Sequence, residues 1–259
     1  MKTPDPAPAS REDLIYGMRP VMEALESGRP LEKIFLRKDL PDDRTLDVRT
    51  WARKRNVTIQ LVPEQKLHQL AKGGVHQGIV ALAPMIAYRE LETTLTELTQ
   101  RKRPPLLLLL DGITDVRNFG AICRSAECMG VDAVIVPANG SASINADAMK
   151  TSAGALNYLP IIKADQLTRA VQLIQEAGLR VLAVTEKTDG LVYDQDLSSG
   201  LCLIVGSEER GIASSLIRRA DALVKLPLFG RIASLNVSVA VGMALSEVAR
   251  QRLVTSRQG

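Results

Sequence analysis

"SLNVSVAVGMALSEVARQR", residues 234–252, decides how the second half of this chain is read. Its first half alternates as a strand would, with Val237, Val239 and Val241 separated by Ser238 and Ala240. Over the whole stretch, Val237, Val241, Ala244, Leu245 and Val248 recur at helical spacing, a stripe that a strand of this length would not sustain. The stretch therefore predicts a helix, with Asn236 as its N-cap and Ser234 just upstream. Ala240, Gly242 and Ala244 keep that helix thin, so a neighbouring backbone can come close.

Upstream of it, apolar runs at 106–111, 132–136, 180–185, 202–206 and 222–227 read as strands. Helical patterns near 117–129, 166–177 and 210–219 fall between them. Apolar strands with crossover helices predict a mostly parallel sheet covered on both faces, an α/β domain over 105–259. The first part is a smaller α/β unit over 13–87, with helices near 17–27, 44–55 and 64–71 and strands at 33–37, 57–62 and 79–83. Residues 88–104, threonine-rich and ending in "RKRPP", read as a linker. Residues 1–12 read as a disordered tail without the apolar core of a signal peptide, which favours a cytoplasmic protein.

Charge is unevenly spread. Residues 1–104 hold 18 Lys and Arg against 14 Asp and Glu, whereas residues 105–259 hold 15 of each. Clusters at Arg49, Arg53, Lys54, Arg55 and at Arg101, Lys102, Arg103 are either solvated faces or contacts for a polyanion. An aromatic share of 3% argues against a base-stacking platform. Cys123, Cys128 and Cys202 lack metal-ligand spacing and read as reduced core thiols. With only two histidines, His68 and His76, no metal site is expected. No apolar run is long enough to span a membrane.

Three strand–loop–helix junctions carry the polar candidates: "LLDGITDVRNFGAICRSAECMG" (109–130), "LIVGSEERGI" (203–212) and "LPLFGRIASLNVSVAVG" (226–242). Ligands of parallel sheets bind beyond the carboxyl ends of the strands, so these loops form the default site. Asn118, Arg124, Ser207, Glu208, Ser234 and Asn236 stand there, although each alone could serve only to cap or solvate a helix. No G-x-G-x-x-G follows a strand, no phosphate-binding P-loop is present, and no G-x-S-x-G elbow occurs.

At these residues the sequence resembles the SpoU/TrmH family of ribose 2′-O-methyltransferases, in the knotted SPOUT class. The first family motif is matched by Asn118 and Arg124, the second by Gly206 and Glu208, the third by Ser234, Leu235 and Asn236. The first segment resembles the family's L30e-like substrate-binding domain through "YGMRPVMEAL" (16–25) and "HQGIVAL" (76–82). The resemblance is nearest to bacterial enzymes that methylate a guanosine ribose in 23S ribosomal RNA. It implies a deep trefoil knot in the second domain and a homodimer through it. It also implies S-adenosylmethionine as cofactor, with Thr185, Gly206, Leu226 and Leu235 at the cofactor. On that reading Arg124 serves the ribose 2′-hydroxyl and its phosphate. Asn118, Ser234 and Asn236 position the ribose, and Glu208 holds Arg124 or a loop amide. A transfer-RNA substrate, or a ribosome-binding protein without activity, are the alternatives.

Overall fold

The computed structural model describes residues 14–255, without the side chains of 42–44. The expected tail at 1–12 lies outside the described residues. Two compact units divide at Met85 and Ile86.

The first unit contains β1 (Leu14–Tyr16), α1 (Met18–Ser27), β2 (Lys33–Arg37), α2 (Asp42–Lys54), β3 (Thr58–Val62), α3 (Glu64–Ala71) and β4 (Ile79–Leu82). Its mixed sheet runs β1-β4-β2-β3, with β2 and β3 parallel and the other pairs antiparallel. The "HQG" turn before β4 is a structural clasp. The Gly78 N–H donates to His76 Nδ1 (3.0 Å), and Gln77 Oε1 accepts from Met18 N at the start of α1 (3.0 Å). An occupied Nδ1 leaves the proton of neutral His76 on Nε2, which faces His68 Nδ1 at 3.3 Å. Glu64 lies close to both rings. The two rings form a hydrogen-bonded pair, with Glu64 Oε1 4.0 Å from His68 Nε2.

The second unit begins earlier than its first long strand. β5 (Tyr88–Arg89) and α4 (Leu91–Thr99) precede β6 (Leu106–Asp111). Then come α5 (Val116–Cys128), β7 (Ala133–Pro137), α6 (Ala146–Thr151), β8 (Ile161–Ala164), α7 (Leu167–Glu176), β9 (Arg180–Val184), β10 (Leu201–Gly206), α8 (Ser214–Ile217), β11 (Ala222–Val224) and α9 (Val237–Thr255). Residues 88–104 are thus a strand and a helix of this unit rather than a plain linker. Leu91, Leu95 and Leu98 of α4 are buried against the sheet. Arg101 and Arg103 donate to the buried carboxylate of Asp132, so two cations of that cluster are already paired.

All pairings in the sheet β11-β9-β10-β6-β7-β8-β5 are parallel. Alternation within "LLLLLD" splits its side chains between two cores. Leu106, Leu108 and Leu110 pack with α5 and α9, and Leu107 and Leu109 pack with α4 and α7. Each buried leucine contributes about 1.5–3 kcal/mol, so β6 is firmly anchored on both faces of the sheet. The helix expected near 236–252 forms as α9, burying Val237, Val241, Ala244, Leu245 and Val248. Asn236 caps it, its Oδ1 accepting from Ser238 N at 3.0 Å. Cys123 and Cys202 are buried, and burial pushes the Cys202 thiol up to about 12. Cys128, expected in the core, is exposed at the end of α5. No helix among the described residues is long and apolar enough to cross a membrane.

Candidate active site

The loops beyond the carboxyl ends of β6, β10 and β11 meet at one carboxylate. Glu208 Oε1 accepts from Asn118 Nδ2 (3.1 Å), Asn236 Nδ2 (2.8 Å) and the backbone N–H of Val237 (3.2 Å). Asn236 Nδ2 also donates to Asn118 Oδ1 at 2.9 Å. Three residues up to 118 positions apart in the chain thereby fix one another. Of the two partners expected for Glu208, the structure provides the amide and not Arg124.

Two aspartates set the positions of these loops, and neither stood among the candidates read from sequence. Asp115 caps α5, accepting from Asn118 N at 2.7 Å. Asp111, the last residue of β6, accepts from Ala213 N at 2.7 Å and so ties the loop after β10 to the sheet. The helix expected at 210–219 shrinks to Ser214–Ile217 because residues 207–213 form a closed turn instead. In it Gly211 N donates to Ser207 O (2.8 Å) at a left-handed Gly211, φ +66°. A β-carbon on Gly206 would stand 2.1 Å from the backbone carbon of Gly211, so only glycine permits this turn to fold back on β10.

The turn separates two cavities. One, of about 490 Å³, lies beyond β9, β10 and β11. Thr185, Gly206, Leu226, Ser234 and Leu235 line it, which brings together the four residues expected at a cofactor and one expected at the ribose. Its floor is apolar, through Val184, Val205, Ile212 and Leu226. Its rim carries Glu186 and Glu209 against Lys187, Arg210 and Lys225, none of which were candidates beforehand. The second cavity, of about 550 Å³, is lined by Asp111, Asp115, Asn118 and Ser207. Glu208 belongs to both walls.

Arg124 stands apart. It is exposed on α5 and lines neither cavity. Six residues beyond Asn118, it is displaced by about 9 Å along the helix and about 120° around it.

An open cavity of this size with an apolar floor and a few convergent polar groups is what a small organic cofactor requires. Residues 105–246 match the SpoU rRNA Methylase family, and residues 14–89 match the RNA 2′-O ribose methyltransferase substrate-binding domain. The chain belongs to the SpoU rRNA methylase family of RNA 2′-O-ribose methyltransferases.

It is 36% identical over 242 residues to the 23S rRNA (guanosine-2′-O-)-methyltransferase RlmB of Escherichia coli K12, covering 93% of this chain and 99% of that protein. Among solved structures, the SpoU methyltransferase AviRb of Streptomyces viridochromogenes, in complex with AdoMet, superposes with a TM-score of 0.58. That pair is 25% identical, over 93% of this chain and 90% of the other. The A. aeolicus TrmH/SpoU tRNA modifying enzyme gives a TM-score of 0.55 at 28% identity, covering 64% of this chain and 86% of that one.

Proposed function

We propose that this enzyme transfers the methyl group of S-adenosylmethionine to the ribose 2′-hydroxyl of a guanosine in 23S ribosomal RNA. The observation that carries the reading is the single node at which Asn118, Glu208 and Asn236 join three loops between two cavities. The likeness to RlmB over nearly the full length of both chains favours ribosomal over transfer RNA.

The 490 Å³ cavity fits the methyl donor. Its apolar floor suits an adenine ring, and Thr185, Gly206, Leu226 and Leu235 would hold the cofactor there. S-adenosylmethionine supplies an electrophilic methyl group on a sulfonium. What remains for the chain is the nucleophile. The chain would have to hold the ribose 2′-hydroxyl toward that methyl group and provide a path for the hydroxyl proton. Asn118, Ser234 and Asn236 position the ribose, with Glu208 holding the two amides in place. Such positioning provides much of the rate. Arg124, which lines neither cavity of its own chain, would serve the 2′-hydroxyl and the adjacent phosphate where the RNA or a second copy brings α5 to the site. A guanidinium stays protonated at neutral pH, so it orients the nucleophile or relays the proton through that phosphate rather than acting as a free base.

We further assign a homodimer to the second unit. Val239 and Met243, 50% and 38% exposed, lie along the outer face of α9 beside Gly242 and continue to Leu253. A trefoil knot suits the strand order, since β11 lies beyond β9 at the sheet edge while α9 returns to the face carrying α5. The first unit serves as an L30e-like RNA-binding domain, with exposed Arg49, Arg53 and Lys54 on α2 as phosphate contacts. The enzyme works in the cytoplasm, where its RNA is assembled.

The test is transfer of tritium from labelled S-adenosylmethionine to 23S ribosomal RNA, with the modified nucleotide mapped by protection of its 2′-position. Label on the ribose of one guanosine supports the reading. Label on a base, on transfer RNA alone, or nowhere overturns it.

A further inference from the structure

The loop from Pro227 to Leu235 joins β11 to α9, and no hydrogen bond among the described residues holds it. Its inner side, through Leu228, Ala233, Ser234 and Leu235, lines the 490 Å³ cavity. Its outer side presents Phe229 at 97% exposure and Ile232 at 77%, with exposed Arg231 between them. The chain has three phenylalanines; Phe119 is buried and Phe35 half-buried. With Leu228 also 41% exposed, Phe229 and Ile232 make a small apolar patch beside the 490 Å³ cavity, the kind of patch that marks a binding surface.

We propose that Phe229 stacks on a nucleobase of the RNA substrate next to the methylated ribose, with Arg231 on a neighbouring phosphate. The proposal rests on the function assigned above and adds a residue that selects and seats the substrate. An RNA that brings a ribose to this cavity brings its own base and the flanking bases with it. Unpaired RNA is gripped by stacking on aromatic rings and by arginine on phosphate, the two groups side by side here. A loop without hydrogen bonds of its own can adjust to that surface. Phe229 lies off α9, whose exposed face is assigned to the second copy, and the cation at Arg231 fits an anionic partner better than an apolar interface.

The experiment compares wild type with Phe229→Ala, Phe229→Leu and Phe229→Trp. Binding of a 23S ribosomal RNA fragment is measured with S-adenosylhomocysteine present, so that no transfer is needed. Cofactor affinity and molecular mass in solution are recorded in parallel. Loss of one stacked base weakens RNA binding about ten- to a hundredfold. We expect that loss in Phe229→Ala and Phe229→Leu, recovery in Phe229→Trp, and unchanged cofactor affinity and mass. Recovery by leucine as well as tryptophan would show mere apolar filling, and a fall in mass would show that a second copy covers the ring. Either result, or unaltered RNA binding, overturns the proposal. A wild type that binds the RNA but transfers no methyl group would sink the assigned function and leave this comparison standing.

Discussion

At the scale of residues, one carboxylate oxygen organises the site. Glu208 Oε1 receives three N–H donors, and hydrogen bonds to a charged group are about twice as strong as neutral ones. The polar residues of this node could be read from sequence because they fall in the three strand–loop–helix junctions, Asn118 in the first turn of α5, Glu208 just past β10 and Asn236 just before α9. Asp111 and Asp115 were not legible. An acid at a strand end or ahead of a helix looks the same whether it anchors an active-site loop, as Asp111 does, or caps a helix, as Asp115 does. Arg124 poses the sharpest question, since it makes no contact with either cavity. If it serves the RNA, Arg124→Ala lowers the rate of methyl transfer by about 10²–10⁴-fold while calorimetry gives wild-type affinity for S-adenosylhomocysteine. A parallel loss of both would assign it to structure.

At the scale of elements, the strong amphipathic patterns were legible and the weak ones were not. α4 escaped because threonine is a poor helix former. Thr94, Thr96 and Thr99 each return their hydroxyl to the carbonyl four residues back, and Leu91, Leu95 and Leu98 secure the helix by burial. β5 has two residues, too few to show a period, and β8 was missed although it is as long as β4. The far end of α9 is fastened by Arg252, whose guanidinium donates to the carbonyls of Pro104 (2.9 Å), Pro105 (3.0 Å) and Ser199 (2.8 Å). Arg252→Ala should lower unfolding free energy by about 2–3 kcal/mol, read by urea titration. A change under half that would show the contacts to be idle. In the first unit, burial holds the His76 imidazole below the ordinary histidine value of 6.5. The unfolded chain then binds a proton that the native turn refuses, so stability falls as pH drops below about 6.5. Thermal melts should show the gap in Tm between wild type and His76→Gln narrowing as pH falls from 7.5 to 5. A constant gap would contradict this account of the turn.

At the scale of the molecule, sequence indicated two α/β units and a parallel sheet in the second, because long apolar strands separated by helices admit few other arrangements. It placed the boundary less well, because residues 88–104 carry polar side chains outward while α4 buries a narrow leucine stripe. The assigned dimer is testable on α9. Met243→Glu puts a charge on the exposed face and should halve the mass measured by light scattering, with a cooperative melt retained. An unchanged mass would move the interface elsewhere. The account as a whole rests on the cavity beyond β9, β10 and β11 being the seat of the methyl donor. Gly206 is the place to challenge it, since any side chain there would enter the backbone at Gly211 and Ile212. Calorimetric titration with S-adenosylhomocysteine should show one site per chain in the wild type and no detectable binding in Gly206→Val, with a cooperative melt retained. Equal binding by both proteins would contradict it.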